Sequence, residues 1–309
     1  MIRWLHISDL HLGSCDMSTD MLRNELPDFL AKEGLKCDYV FCTGDIKTAG
    51  PHDNGYTEDM ATYMLDICQA VGVKSERLFV VPGNHDINRD IDARKQAIKK
   101  VKFQRQGYYD PAMGVIDESD YTDIMCGEQQ FAFFLAKIFD QEKAALYANA
   151  KRPHFAIETP DFNILHVDTT IAYTEGQEAT DLIVGTYALS QEIKTLNKNK
   201  PTILLTHYPF TALLQDEKKY LSYILQKNEI RLWLAGHEHD HLVQGVGYIN
   251  QLQAGELRLE DKSNATFLIG EYDPFSYKGK IKAYSWFPEG WAKYPFLDLD
   301  NKSTDCFDF

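Results

Sequence analysis

Cysteine is scarce in this chain and poorly spaced for cross-linking. The six cysteines, at 15, 37, 42, 68, 126 and 306, form no Cys-x-x-Cys pair and no regular pattern. That excludes a disulfide framework and points to a reduced, cytoplasmic setting. Long apolar runs are missing too: none approaches the roughly 20 residues of a membrane helix, so no membrane partner is expected. The first apolar run opens at Ile2, which leaves no room for a cleavable leader. Basic residues are outnumbered, 32 Lys and Arg against 46 Asp and Glu, for a net charge of −14. A broad nucleic-acid footprint would need a basic face, so nucleic acid is not the favoured partner. The one basic stretch, Arg94, Lys95, Lys99, Lys100, Lys102 and Arg105, reads as the solvated face of a helix. Internal repeats and low-complexity segments are absent.

What remains is an ordinary globular composition, 44% hydrophobic and 25% charged. With 309 residues the chain can bury a sizeable core. Five short apolar runs share one design, a buried strand that ends at once in polar residues. They lead into Asp9-Leu10-His11, Gly44-Asp45, Gly83-Asn84-His85-Asp86, His207 and Gly236-His237-Glu238-His239. A polar residue just past the C-terminal end of a buried strand is where α/β folds place chemistry.

In this order and spacing the five motifs resemble those of the calcineurin-like metallophosphoesterase superfamily. A given tetrapeptide such as Gly-Asn-His-Asp arises by chance at about one position in 10⁵, and five motifs in order are far rarer. The resemblance implies an α/β fold of two packed mixed β-sheets flanked by helices, a four-layer αββα sandwich. It implies Asp9, His11, Asp45 and His239 around one metal ion, and Asp45, Asn84, His207 and His237 around a second. Asp45 would bridge the two. His85 is assigned no ion; it would face the phosphoryl group and protonate the leaving oxygen as a general acid. Two ions, Mn²⁺, Fe or Zn²⁺ given the mixed nitrogen and oxygen donors, would bind the ester and share the attacking hydroxide. The activity implied is phosphodiester or phosphomonoester hydrolysis, with a phosphate ester, favourably a nucleotide-type diester, as partner. A nuclease of the same superfamily and a non-catalytic metal-binding scaffold are the alternatives. The protein phosphatase branch has a second Asp three residues after the bridging one, and Thr48 stands there in this chain. Another residue must hold His85, or it is held more loosely.

Around the motifs, the spacing predicts helices over 18–32, 56–70, 217–226 and, capped by Ser190, a short one after 190. A hairpin is expected around Thr159-Pro160-Asp161, and an acidic loop over 172–185. Residues 87–150 read as a mostly helical insertion at the site's mouth, with an aromatic link of Tyr108, Tyr109, Pro111, Met113 and Gly114. After His241 only strands are expected, which would form a second sheet packed on the first. The main domain thus spans 1–290, and the aromatic tail 291–309 packs on it or leads to a further module. His6 reads as a core histidine. His166 and Asp168 are candidates to orient a metal-bound histidine from behind, and Glu256 to return to the site by a loop. His241 reads as solvent- or substrate-facing, and His52 and His154 carry no motif.

Overall fold

Alternate residues of the short apolar strands go to different cores, and this alternation builds the molecule. In β1 (Ile2–Ile7), β2 (Tyr39–Cys42) and β3 (Leu78–Val80), the side chains of Leu5, Ile7, Val40, Cys42, Leu78 and Val80 pack outward. They meet the helices α1 (Met17–Lys32) and α2 (Glu58–Ala70), which supply Leu22, Leu26, Met64 and Ile67. Trp4, Tyr39, Phe41 and Phe79 point the other way, against Ile164, Ile203, Leu205, Leu232 and Leu234 of a second sheet. The period of two along these strands thus gives each of them two buried faces. The second sheet is covered in turn by the helices Thr186–Thr195 and Gln215–Lys227, through Leu189, Ile193, Leu221 and Leu225. The result is two mixed sheets between helical layers, as the resemblance implies. The structure, a computed structural model, describes residues 1–13, 17–49, 55–104, 118–149, 152–174, 181–259, 265–297, 303–304 and 306–309. Cys15, His52, the aromatic link within 105–117 and the acidic positions 175–180 lie outside them.

The sheets are assembled differently from the sequence expectation. The second sheet comes from the middle of the chain, β4 (His154–Glu158), β5 (Asn163–Val167), β6 (Thr202–Leu205), β7 (Leu232–Ala235), β8 (Leu242–Val246) and β9 (Ile249–Gln253). Its order is β4-β5-β6-β7-β9-β8. The late strands β10 (Thr266–Asp273), β11 (Lys278–Phe287) and β12 (Gly290–Tyr294) do not make a sheet of their own. They extend the first, giving β12-β11-β10-β1-β2-β3, because β10 pairs antiparallel along the open edge of β1 from Ile2↔Tyr272 to His6↔Leu268. A last short strand, Phe307–Asp308, pairs with β11. Strand composition predicts most of the strands, though not β8 or β12; which edge each joins depends on partners distant in sequence.

Local chemistry explains the helices. Thr57 caps α2 by accepting from the Met60 N–H at 3.4 Å. Pro27 sits inside α1 and removes a helical donor. The carbonyl of Arg23, four residues earlier, takes the Tyr63 hydroxyl at 3.0 Å instead. The helix predicted to open at Ser190 opens at Thr186, after Gly185 at φ +79°. Ser190 lies within it and donates to the Tyr187 carbonyl at 2.7 Å, a local bond that a capping pattern mimics.

The insertion is helical where described: Asp92–Gln104, Glu118–Met125, Gln129–Leu135 and Gln141–Tyr147. Its basic stretch is not simply a solvated face. Arg94 is fully buried and donates to the carbonyls of Ile124, Thr170, Ile171 and Tyr173, tying the insertion to the loop after β5. Lys95 pairs with Asp90 and Lys100 with Asp120. Tyr56, just before α2, stacks on Phe134 at 4.3 Å, so the insertion also leans on the first sheet's helices. No helix among the described residues is long and apolar enough to cross a membrane.

Candidate metal centre

All five motif loops meet where the C-terminal ends of the parallel strands in the two sheets face one another. From the first sheet, β1 delivers Asp9 and His11, β2 delivers Asp45, and β3 delivers Asn84 and His85. From the second, β6 delivers His207 and β7 delivers His237 and His239. The loops are laced together by their backbones: Asp9 N–H to Gly44 O at 2.9 Å, His11 N–H to Asp45 O at 2.9 Å. Asp86, to which the sequence reading gave no role, locks the β2 and β3 loops. Its carboxylate accepts from the N–H groups of Ile46 and Gly83 at 2.9 and 2.8 Å, and from the Tyr56 hydroxyl at 2.8 Å. The approach is close enough to need glycine. A Cβ on Gly83 would lie 2.1 Å from Asp45 Oδ1, and one on Gly236 would lie 1.9 Å from Ser8 Oγ.

Backbone strain collects at these same residues. Among the described residues seven non-glycine positions have positive φ, and five of them are Asp9, His11, Asp45, His237 and His239. Such conformations cost of order 1–3 kcal/mol each and persist at sites that over-determine them.

The side chains converge. Ligand atoms of Asp9, His11 and His239 lie within 4.8 Å of one another, as do those of Asp9, Asp45 and His207, and those of His11, Asp45 and His85. Asp45 Oδ2 is 3.5 Å from His207 Nε2 and 3.9 Å from His85 Nε2. Asp9 Oδ1 is 3.5 Å from His239 Nε2 and 3.9 Å from His11 Nε2. Asn84 Oδ1 stands 3.1 Å from His207 Nε2, and the His237 ring 5.2 Å from the His207 ring.

This donor set fits cations. His207 Nδ1 faces the Thr43 carbonyl at 2.7 Å, so that nitrogen carries the proton. The bare Nε2 then looks at two oxygens, of Asn84 and Asp45. Asp9 Oδ1, both nitrogens of His11 and His237 Nδ1 are buried without a hydrogen-bond partner among the described residues. Buried acceptors facing one another are costly unless a positive charge sits among them. Burial pushes the His237 and His85 imidazoles down to about 3 and holds His11 and His207 low, so these rings favour the neutral, ligating form. Burial, with the charges of Asp9 and Asp86, raises Asp45 well above the usual carboxylate range. Asp9 goes the other way: burial would raise it, but the nearby imidazoles of His239, His207 and His11 hold it low.

His85 sits at the rim, its side chain about a quarter exposed and its backbone N–H bonded to Asp45 Oδ1 at 2.7 Å. Its buried Nδ1 has no hydrogen-bond partner among the described residues. No carboxylate among them therefore takes over, at that nitrogen, the task of the one that Thr48 replaces.

Other histidines are elsewhere. His6 is buried with Nε2 3.0 Å from Thr43 Oγ1, a core residue. His166 stacks on Phe155 and meets the Tyr147 hydroxyl, while Asp168 accepts from Thr170. Neither contacts a candidate ligand: Thr169 beside them reaches the β6 loop, at the Tyr208 N–H, but the His166 ring and the Asp168 carboxylate turn to Phe155, Tyr147 and Thr170. His154 bonds the Val184 carbonyl, and His241 lies against Tyr294 of β12. Glu256 does return to the site: fully buried, its Oε2 is 3.3 Å from His239 Nδ1. The sequence signal for it was thin, a Gly-Glu pair in a loop after the last motif.

Comparison with known proteins adds a family to this geometry. The profile of the family described as calcineurin-like phosphoesterase matches residues 2–241. An uncharacterized metallophosphoesterase-like protein, YydB of Bacillus subtilis strain 168, is 24% identical over 306 residues, 94% of this chain and 61% of the relative. The chain thus spans about three fifths of that relative's length. Among solved structures, the protein TT1561 of Thermus thermophilus is 13% identical with a TM-score of 0.46, covering 91% of this chain and 97% of its own. Vps29 of Cryptosporidium parvum is 13% identical at a TM-score of 0.43, covering 100% and 97%.

Proposed function

The chain belongs to the calcineurin-like phosphoesterase family, and on that premise we propose that it is a metal-dependent phosphohydrolase cleaving phosphodiester or phosphomonoester bonds. A nucleotide-type diester is the favoured substrate. One observation carries the reading: Asp9, His11, Asp45, Asn84, His207, His237 and His239 converge with unsatisfied buried donor atoms at the meeting edge of two sheets. Asp9, His11, Asp45 and His239 would hold one ion, and Asp45, Asn84, His207 and His237 the other. When bound, such ions supply positive charge for the phosphoryl oxygens and lower the pKa of a water.

The chain's own residues do the rest. Asp45 offers an oxygen to each half of the site. The Thr43 carbonyl fixes the His207 tautomer so that Nε2 faces inward. His85, at the rim and left free of ligation in this scheme, hands a proton from Nε2 to the leaving oxygen. Burial and the Arg89 charge disfavour its protonated form, and an anionic phosphoryl group beside the ring reverses that push. The insertion over 87–150 tunes substrate choice, because it begins directly after Asp86. It also places Arg89 5.7 Å over the Tyr173 ring, and Tyr173 neighbours Tyr208, whose ring lies 4.1 Å from His237. Arg89→Ala should therefore change the ratio of monoester to diester turnover with metal content unchanged. A cytoplasmic setting fits the described cysteines, all free thiols.

The deciding experiment is a hydrolysis screen of aryl mono- and diesters with added Mn²⁺, run beside elemental analysis of the purified protein. Two bound ions with turnover support the reading. Two ions without turnover of any ester would leave a metal-binding scaffold and sink the enzyme assignment.

A further inference from the structure

The family match ends at residue 241, but the site does not. After β9 the chain crosses from the second sheet back to β10 of the first, and residues 254–259 of that crossing run beneath the metal-binding loops. The strap reaches three candidate ligands. Glu256 N–H donates to the His239 carbonyl at 3.3 Å, and Leu257 N–H to the Asp9 carbonyl at 3.0 Å. Arg23 of α1 donates to Leu257 O at 3.1 Å and to His11 O at 2.9 Å, joining strap and β1 loop. Glu256 is fully buried, with Oε2 3.3 Å from His239 Nδ1 and 3.4 Å from Arg258 Nε. The far nitrogen of the same ring, Nε2, points at Asp9 Oδ1 from 3.5 Å.

We propose that Glu256 is a positioning residue for the ion held by Asp9, His11 and His239, and for that ion alone. This rests on the metallophosphoesterase reading above. A carboxylate facing Nδ1 keeps the proton there, so Nε2 presents its lone pair inward, and the ring is held in the strained turn where His239 has φ +60°. The other half of the site is steered from a different place: His207 is oriented by the Thr43 carbonyl of the β2 loop, not by the strap. The strap therefore makes the two ion positions unequal.

The test is Mn²⁺ titration of chelator-stripped full-length protein by calorimetry, for wild type, Glu256→Gln, Glu256→Ala, His239→Ala and the Glu256→Gln/His239→Ala pair. Two Mn²⁺ equivalents are expected for wild type. Glu256→Ala should weaken one site about 10–100-fold, the usual worth of a carboxylate behind a ligating histidine, and leave the other unchanged. Glu256→Gln, which keeps the shape and one acceptor oxygen, should weaken the same site less and guards against misfolding of the alanine variant. In the His239→Ala background, Glu256→Gln should add nothing, which a merely structural role would not produce. Equal weakening of both sites, no weakening, or full additivity in the pair overturns the role of Glu256 while leaving the metal centre intact. A wild-type protein that takes up no Mn²⁺ overturns both together.

Discussion

The two sheet edges that meet at the site supply different chemistry and are held in different ways. The first sheet brings both carboxylates, Asp9 and Asp45, together with Asn84, His11 and His85; the second brings imidazoles only, His207, His237 and His239. On the first edge the loops grip each other, through backbone bonds between the β1 and β2 loops and through the Asp86 carboxylate between the β2 and β3 loops. On the second edge a single backbone bond at a candidate ligand, Gly236 N–H to His207 O at 2.9 Å, joins the β6 and β7 loops, and the histidines are steered from elsewhere as well. Thr43 of the opposite sheet takes the His207 ring, Asp9 Oδ2 takes the backbone N–H of His237 at 3.0 Å, and Glu256 faces the His239 ring. The anionic half is a rigid frame that carries the charge. The histidine half is a set of adaptors, each touched from the opposite edge or from the crossing to β10. A lesion at Asp45, which serves both ions, should therefore empty the site, and a lesion in an adaptor should cost one ion.

Asp45→Asn is the largest test of that contrast. A neutral amide cannot bridge two cations, so both metal equivalents should be lost and activity should fall to the uncatalysed rate. Two ions by elemental analysis with unchanged turnover would break the distinction. The rim comes next. His85→Ala should keep both ions and lower kcat by about 10²–10⁴, the range for a positioned acid–base group. The loss should shrink for aryl esters, whose leaving groups need little protonation. His207→Ala, an adaptor lesion, should shed one ion first and activity as a consequence. If His85→Ala sheds metal as readily, or slows alkyl and aryl esters equally, His85 belongs to the ligand set and not to the chemistry.

Smaller effects probe the frame without touching a ligand. Gly83→Ala forces a Cβ into Asp45 Oδ1, so it should destabilise the fold by about 1–3 kcal/mol and weaken both ions together. A thermal midpoint equal to wild type would show that the β2 and β3 loops yield more easily than their contacts imply. Asp86→Asn is the mildest: it keeps the shape but turns an amide N–H₂ toward backbone donors, at a cost of about 1–3 kcal/mol. Metal affinity should fall less than in Gly83→Ala. Denaturant melts of the stripped protein, beside the Mn²⁺ titration, would rank the two.

Much of the frame was legible in advance. Each of the five polar strand ends follows a continuous apolar run, and the structure puts all eight named side chains at one edge. The helical character of the insertion was legible too, from the absence of any strand pattern. Other features were hidden for identifiable reasons. Arg94 looks like one of six basic residues on a surface helix, and only the carbonyls around it make it an anchor. Ser190 carries a capping pattern that a mid-helix serine also satisfies by bonding back to Tyr187. His166 and Asp168 sit at a strand end like the others, but on β5, whose end is covered by the insertion.

Local chemistry, readable along the chain, determined which strands form, where they stop, and which side chains stand at their ends. Apolar alternation and turn residues act over a few positions, so the local sequence alone carries them. Only the tertiary structure decided that β10 to β12 join the first sheet, that five motif residues take left-handed backbone, and that Glu256 comes back beneath His239. Those outcomes depend on pairing edges and close approaches between residues far apart in sequence. Asp9 and Leu257 meet across more than two hundred positions, and no local pattern encodes that meeting.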